Sequence, residues 1–551
     1  MPDELRIIPL GGLGEIGLNM MLFEFGDEVM IVDCGLMFPE PHMPGIDIVI
    51  PDFQYLIQNQ KNIRGLVVTH GHEDHIGAIP FFLRHFNPPI YGTPLTLGFI
   101  EAKFKEHDLE KVNLIETRHG ESVDVGPFSV EFIRVCHSIP DASALAISTP
   151  AGLVVHSGDF KFDDTPTDSR TPDYSALKRC GDRGVLALLS DSTNAEVKGN
   201  TESEGKLVPF FKELFEYDGG KIVVALFSSN INRVQQIVSA AEEKRKKIVL
   251  VGRSLVSNIR VAREKGYLKV ASDTLIDIKK MDNYTPDELV VITTGSQGEP
   301  MSGLSRIATK THDYVRIEKG DKVVLSSKAI PGNEKLVYNI INLLTKGGAK
   351  VLYDKIAPVH VTGHAHEEEL KKMISLVRPK LFIPIHGEYR QLARHIELAT
   401  EMGIAKEKTF LAQDGDAIRL TSEKAELACR VPTGRVFVDG KGVGDVEELV
   451  LRDRLNLSKD GTVILVASIN RSSGEIISGI EIFSKGLISG NEEADLLTDA
   501  KAAVQEHLDQ LSIEIKTDWT ETEAEIRKAL KKFFKKSLGR WPVIIPVVIE
   551  I

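Results

Sequence analysis

From residue 5 to about 205, short β-branched runs alternate with polar turns and two or three helical stretches. Ile63–Val68 reads as a short buried strand, broken by Gly71. Leu5–Leu10 reads as another strand, and Leu18–Phe25 as the next strand of a hairpin, so the glycines between them form a tight turn. From about Lys206 to Ala365 the rhythm becomes strand, polar loop, helix: Ile222–Phe227 precedes Ile231–Lys247, and Lys322–Leu325 precedes Glu334–Thr345. Val234, Ile237, Val238 and Ala241 recur at helical steps, which gives that helix one buried face. Such units build a parallel sheet with its loops gathered at the strands' C-terminal edge. Glu367–Val377 reads as a helix and Leu381–Ile385 as a strand. Further on, strands at Val463–Ala467 and Ile476–Phe483 precede helices near Glu492–Leu511 and Thr520–Leu538, and a strand within Trp541–Ile551 follows. Thr520-x-x-Glu523 predicts a capping box at the last helix.

The pattern predicts an α/β chain in five parts. Changes of rhythm separate residues 1–205, 206–365, 366–430, a glycine-rich linker at 431–446 and a small α+β domain at 447–551. At 551 residues and 42% hydrophobic, the chain has material for several cores, so disorder is excluded as its class. No long uncharged apolar window suggests a membrane span, and the start of the chain has no secretory pattern. Four scattered cysteines, Cys34, Cys136, Cys180 and Cys429, fit reduced thiols and a cytoplasmic location. A net charge of -12 argues against a general nucleic-acid coat. It leaves a local basic groove open, because bound cations reverse the sign of a site.

The chemistry concentrates at Thr69-His70-Gly71-His72-Glu73-Asp74-His75, directly after a predicted strand. Neutral imidazoles and carboxylates suit zinc or manganese. Their spacing lets His70 and His72 close on one ion and Asp74 and His75 on a second. Asp33, His137, Asp159 and His386 each follow another β-branched run. His-x-His-x-Asp-His, with these four residues, resembles the metallo-β-lactamase superfamily, which implies an αββα sandwich. Asp191, His364 in Gly363-His364-Ala365, and His386 resemble the additional motifs of its β-CASP, nucleic-acid-processing group. This resemblance implies that residues 206–365 are a parallel α/β domain inserted into one formed by 1–205 and 366–430. Thr294–Met301, Ile330–Glu334, Phe227–Ile231 and the C-terminal unit are similar to the bacterial ribonuclease J family.

That resemblance implies a two-metal ribonuclease using Zn²⁺, with Mn²⁺ as the alternative, and hydroxide attack on the phosphodiester. His70, His72 and His137 would hold one ion, Asp74, His75 and His386 the other, and Asp159 both; Asp33 would orient the histidines. Asp74 would orient or deprotonate the nucleophile, and His364, paired with Asp191, would protonate the leaving oxygen. Single-stranded RNA is the implied substrate, cut by 5′-to-3′ exonuclease and endonuclease action in mRNA decay and rRNA maturation. Implied partners are a homodimer or homotetramer and other factors of RNA degradation, with no membrane. A purely endonucleolytic enzyme of the same group and a metal-bearing RNA-binding scaffold are the alternatives. Ser228, Ser229, Asn230, Gly363, His364 and Ala365, at strand-to-helix turns, are the expected contacts to RNA phosphate. Helix capping is the plain alternative for Ser229 and Asn230. His360 and His366 are expected as bystanders, His366 inside a helix. The basic run Lys528, Lys531, Lys532, Lys535 and Lys536 reads first as a solvated face, with RNA or subunit contact as the alternatives.

Overall fold

The computed structural model describes residues 4–109, 111–330, 332–421, 424–440, 442–446, 448–488 and 492–551. Met1–Asp3, Pro331 of the Ile330–Glu334 motif, Lys441 of the expected linker and Glu447, the expected start of the last domain, lie outside them. Residues 1–38 with 49–436 make one unit, and residues 39–48 with 437–551 make a second.

The first unit contains two facing sheets. Eight strands run in the order Ala425–Arg430, Asp416–Leu420, Leu5–Gly11, Met20–Phe25, Glu28–Val32, Asn62–Val67, Ile90–Gly92 and Leu114–Glu116. Six run in the order Leu381–Ile385, Val185–Asp191, Gly152–His156, Ser143–Thr149, Phe128–Arg134 and Ser122–Val125. Phe23, Met30, Val32 and Val67 of the first meet Phe132, Leu145, Val154, Leu189 and Ile383 of the second in one apolar core. On the outer face of the six-stranded sheet, helices Tyr174–Arg183 and Glu367–Val377 bury Leu177, Leu370, Met373 and Ile374.

Three neighbouring strands, Gly152–His156, Val185–Asp191 and Leu381–Ile385, are parallel, with Asp191 opposite Ile385. Their C-terminal ends therefore share one edge, where α/β sheets gather their sites. Between the second and third of these strands the chain builds a separate five-stranded sheet, all parallel, in the order Lys247–Val251, Leu289–Thr293, Ile222–Ala225, Lys322–Leu325, Lys350–Leu352. Val223, Val291, Val323, Ile340 and Leu344 fill its core.

Buried ions tie this insertion to the turn that leads into it. Arg233, fully buried, meets Glu204 through Nε at 2.5 Å and through a second nitrogen at 2.9 Å. The same guanidinium donates to Ser326 Oγ at 2.7 Å and to the Val359 carbonyl at 3.2 Å. The buried Glu369 carboxylate accepts from the amides of Phe162, Thr201 and His366. His366 stands at the N-cap of Glu367–Val377, one position before the helix that was expected to contain it.

In the second unit, Ile476–Lys485, Thr462–Ile469 and Val543–Glu550 form a three-stranded sheet against helices Glu492–Asp509 and Trp519–Leu538. A helix over Glu448–Asp460, which the sequence pattern did not announce, precedes them. The cap of Trp519–Leu538 is Asp518, whose carboxylate accepts from the amides of Thr520 and Glu521. The expected capping box at Thr520 is therefore wrong: Thr520 already lies within the helix, and Glu523 instead accepts from Val548 N. No helix among the described residues is long and apolar enough to cross a membrane.

Removing one partner of a buried ion pair strands the other, at about 3–5 kcal/mol. Glu204→Ala should therefore lower the melting temperature clearly, and Glu204→Leu combined with Arg233→Met should recover most of the loss. An unchanged thermal transition in Glu204→Ala would show that the pair contributes nothing to the docking of the insertion.

Candidate metal centre

Each candidate ligand leaves the end of a strand. His70 follows Asn62–Val67, and the single-turn helix Glu73–Ile76, with His72 at its N-cap, presents Asp74 and His75. His137 follows Phe128–Arg134 and Asp159 follows Gly152–His156. His386 follows Leu381–Ile385 with φ +52, and Asp33 follows Glu28–Val32 with φ +62. Left-handed backbone at non-glycine residues is costly and clusters at functional sites. Gly35 lets the motif helix close in, since a Cβ there would lie 1.6 Å from the Asp74 carbonyl oxygen.

Three groups of converging donors result: a first set of His70, His72, His137 and Asp159, a second of Asp74, His75, Asp159 and His386, and a third, sharing residues with the second, of Asp159, Asp191, His364 and His386; within each, the ligand atoms lie within 4.8 Å of one another. In the first, His72 Nδ1 is 3.0 Å from His70 Nε2 and 3.1 Å from His137 Nε2, while Asp159 Oδ2 is 3.7 Å from both latter nitrogens. In the second, Asp159 Oδ2 is 3.3 Å from His75 Nε2 and 3.2 Å from His386 Nε2. Asp74 Oδ2 is 3.6 Å from His75 Nε2 and 3.8 Å from His386 Nε2. Donors on a tetrahedral zinc ion, each about 2.0–2.2 Å from it, stand about 3.3–3.6 Å apart. The observed spacings bracket that value.

The outer hydrogen bonds make the fit sharper. His137 Nδ1 donates to the Gly363 carbonyl at 2.8 Å, and His75 Nδ1 to Asp33 Oδ2 at 2.7 Å. Thr69 Oγ1 gives its proton to Asp33 Oδ2 at 2.8 Å, so it accepts from His70 Nδ1 at 3.0 Å. Asn19 Nδ2 donates to the Asp74 carbonyl at 2.9 Å and lies 3.1 Å from His75 Nε2, and Asn19 Oδ1 accepts from His386 Nδ1 at 3.0 Å. In the neutral rings these bonds fix the proton on the outer nitrogen and turn a lone pair inward. His72 Nδ1 can donate to only one of the two lone pairs converging on it, so protons alone cannot satisfy the set. A shared cation can. The donors therefore fit divalent metal ions.

Electrostatics divides the first and second sets. Burial, followed by the neighbouring imidazoles, pushes His70 and His72 well below the usual histidine range, and burial with His364 takes His137 down to about 3. Those three rings are thus in the neutral form that ligation needs. Burial, the largest influence at both, opposes charge on His75 and His386, but the surrounding carboxylates together raise them, Asp159, Asp74 and Asp33 at His75 and Asp159 and Asp191 at His386. Burial opposes charge on Asp159 as well, yet His386 and His75 hold its carboxyl well below the ordinary range. The second set thus attracts positive charge.

Within the third group, His364 Nδ1 lies 2.8 Å from Asp191 Oδ2. Burial works against the His364 charge, but Asp191, Asp159 and Asp74 lift it to about 9. Asn194 Nδ2 and Thr201 Oγ1 hold the His364 carbonyl at 3.2 and 2.9 Å. Gly363 lies against the His137 ring, where a Cβ would come within 2.7 Å of Nδ1. Sequence reasoning missed the Gly363 carbonyl, Thr69, Asn194 and Thr201. An asparagine or threonine that orients a ligand carries no spacing signal of its own.

The expected phosphate contacts divide. Ser228 and Ser229 are half-buried, and Ser228 Oγ accepts from Asn258 Nδ2 at 3.2 Å. Asn230 is buried and its side chain accepts from the Arg233 amide at 3.0 Å, capping the helix Ile231–Glu243. Ala365 is buried and its amide donates to the Phe160 carbonyl at 2.7 Å. The Ala365 N–H is thus engaged within the protein, while at Asn230 the side-chain oxygen is engaged as the helix cap that was the plain alternative for that residue. A shallow cleft opens beside His137, lined by Arg134, Lys161 and Arg170, by the carboxylates of Asp141, Asp163, Asp168 and Glu204, and, from the inserted domain, by Asn232. Burial, with Arg233 and Lys161 nearby, holds His360 down to about 3, and among the described residues its Nδ1 has no partner.

Comparison with known families agrees across the chain. The model for the metallo-beta-lactamase superfamily matches residues 13–193, and that for the ribonuclease J beta-CASP domain matches 219–344. Residues 349–411 match the Zn-dependent metallo-hydrolase RNA specificity domain, and 449–551 the ribonuclease J C-terminal domain. Ribonuclease J2 of Bacillus subtilis (strain 168) is 38% identical, covering 100% of this chain and 99% of the relative. Ribonuclease J 1 of Streptococcus pyogenes serotype M3 is 40% identical over 100% of this chain and 98% of the relative. Ribonuclease J of Mycobacterium tuberculosis (strain H37Rv) is 41% identical over 99% and 97%. A crystal structure of a protein of unknown function from Enterococcus faecalis V583, 18% identical, covers 76% of this chain and all of its own with a TM-score of 0.53, a likeness of fold alone. With a metallo-β-lactamase sandwich, a β-CASP insertion and a matching C-terminal domain, the chain belongs to the ribonuclease J family.

Proposed function

We propose that this metal-dependent ribonuclease cuts single-stranded RNA at the two donor sets, both from the 5′ end and internally. The observation that carries the reading is the His364–Asp191 pair set against seven converging metal donors. His70, His72 and His137 would hold one divalent ion and Asp74, His75 and His386 the other, with Asp159 available to both. Zinc suits the imidazole-rich set, with manganese the alternative. Two ions held there would supply acidity to water and neutralise charge on the phosphoryl oxygens in flight.

The protein's own groups do the rest. Asp74, whose side chain keeps 30% of its surface while Asp159 keeps 3%, orients the attacking water and can take its proton. Asp191 fixes the His364 ring through Nδ1, so Nε2 carries the proton given to the departing 3′ oxygen. Water adds to phosphorus as the P–O3′ bond breaks, leaving a 3′ hydroxyl and a 5′ phosphate. Asp33 and Asn19 act through the ligands and are positioning residues.

Access for a 5′ end follows from the cleft beside His137. Arg134 and Arg170 bring cations to it, alongside the carboxylates of Asp141, Asp163 and Asp168. Ser228 and Ser229, at the turn into Ile231–Glu243, and Gly363 and His364 are the remaining candidates for the terminal phosphate. This reading supports a 5′-to-3′ exonuclease with endonuclease activity, with roles in mRNA decay and rRNA maturation. Self-association as a homodimer or homotetramer is part of the same proposal. Phe483, Ile545, Val547 and Ile549 are exposed at 58, 45, 38 and 46%, and Val543–Glu550 is an edge strand.

Three outcomes follow. Asp74→Ala should lose cleavage together with metal from the second set, whereas His364→Ala should keep its full metal content and slow the chemical step about a hundred- to ten-thousandfold. Metal analysis alongside single-turnover kinetics reads both; an ion missing from His364→Ala would make that histidine a ligand.

RNA with a 5′ monophosphate should be digested from its end faster than the same RNA with a triphosphate. A bulky acidic Ser229→Glu should erase the difference while circular RNA is still cut. Equal rates for the two ends in the parent enzyme would remove the pocket, and cutting of circles without end digestion would leave a pure endonuclease.

Light scattering of a chain ending at Val446 should give a lower mass than the full chain. An unchanged oligomer would place the subunit contact outside residues 448–551.

A further inference from the structure

The helix Trp519–Leu538 buries one side, through Thr522, Ile526, Ala529, Leu530 and Phe534, against the sheet and helix of the second unit. Its outer side carries Arg527, Lys528, Lys531, Lys532, Lys535 and Lys536, all exposed. These fall in two adjacent rows at four-residue steps, 527–531–535 and 528–532–536. The run covers nine steps of about 1.5 Å, or about 14 Å of helix. Among the described residues only Lys528 has an ion-pair partner, Glu525, which also binds His507.

A plain account is available for part of this. Cations in a last turn complement the helix dipole, which explains Lys535 and Lys536. It does not reach Arg527, Lys528, Lys531 or Lys532, since the effect fades beyond one turn. Like charges four residues apart also repel. In a chain of net charge -12, six cations stacked in this way mark a face suited to a polyanion. Immediately beyond the Gly539 cap stands Trp541, 56% exposed, with the Lys535 ammonium 5.9 Å from its ring centre. A basic track ending in an open aromatic ring is what single-stranded nucleic acid uses, phosphates on the cations and a base on the ring.

We propose that this face is a second RNA-docking site, separate from the metal centre, which binds single-stranded RNA without regard to sequence. It rests on the chain's being an RNA-cutting enzyme, but not on which residues hold the metals. A linear row of cations ending at an open aromatic ring matches the phosphates and bases of RNA, and so favours RNA over a second copy of the chain.

The test uses the full chain carrying Asp74→Ala to suppress cleavage, with and without joint substitution of Lys531, Lys532, Lys535 and Lys536 by Gln. Binding of an unstructured 40-nucleotide RNA is followed by fluorescence anisotropy between 50 and 200 mM salt. For single strands, every phosphate that the protein no longer neutralises lowers the salt slope by about 0.7, so a drop of about 2–3 is expected, with affinity near 100 mM falling at least about tenfold. Tryptophan fluorescence, quenched by poly(U), should lose most of its quenching in Trp541→Phe. An unchanged salt slope, or full quenching in Trp541→Phe, would overturn the proposal. So would an unchanged slope with a lower mass in light scattering, which would make the face a subunit contact. Shortening of the RNA on a gel would reveal residual cleavage, and so separates failure of the catalytic reading from failure of this one.

Discussion

One buried carboxylate holds the site together. Asp159 Oδ2 lies 3.2–3.7 Å from four imidazole nitrogens, two in each donor set. A charge taken so far out of water is tolerable only with positive charge at close range. His75 and His386 are raised by it, while His70, His72 and His137 remain neutral donors. The carboxylate therefore links the two donor sets. Asp33, Thr69, Asn19 and the Gly363 carbonyl then turn the histidines toward it.

Topology explains how distant ligands reach that point. Val185–Asp191 and Leu381–Ile385 are neighbours in a parallel sheet, so the chain between them must leave the edge and come back to it. That crossover is the inserted domain. Its return strand delivers His386 beside Asp191, and the turn just before the preceding helix delivers His364 to the same spot. The insertion is thus bound into the catalytic edge at both ends, with the Arg233–Glu204 pair and the Glu369 carboxylate anchoring it.

The ligand types and the strands before them were legible in the sequence because each is local: a β-branched run, then a histidine or aspartate. The doubly wound rhythm of the insertion was legible for the same reason. The partnerships were not. His137 with Gly363 and His386 with Asn19 are separated by 226 and 367 positions, and nothing at either end announces the other. Capping errors had a different cause. His366 and Asp518 take the caps that local pattern assigned inside the helix or to Thr520, because side-chain geometry decides among adjacent polar residues. The partners of Asn230 and Ala365 at these turns, the Arg233 amide and the Phe160 carbonyl, were equally invisible in the sequence. The clustering of residues 39–48 with 437–551 left no trace in local composition.

Anomalous diffraction from crystals of the full-length protein, collected above and below the zinc and manganese edges, tests the central claim most directly. Two peaks are expected about 3.5–4 Å apart, one coordinated by His70 Nε2, His72 Nδ1 and His137 Nε2, the other by Asp74, His75 Nε2 and His386 Nε2, with Asp159 touching both. A single peak, or a peak held between His364 and Asp191, would contradict the two-metal account and the acid role of His364.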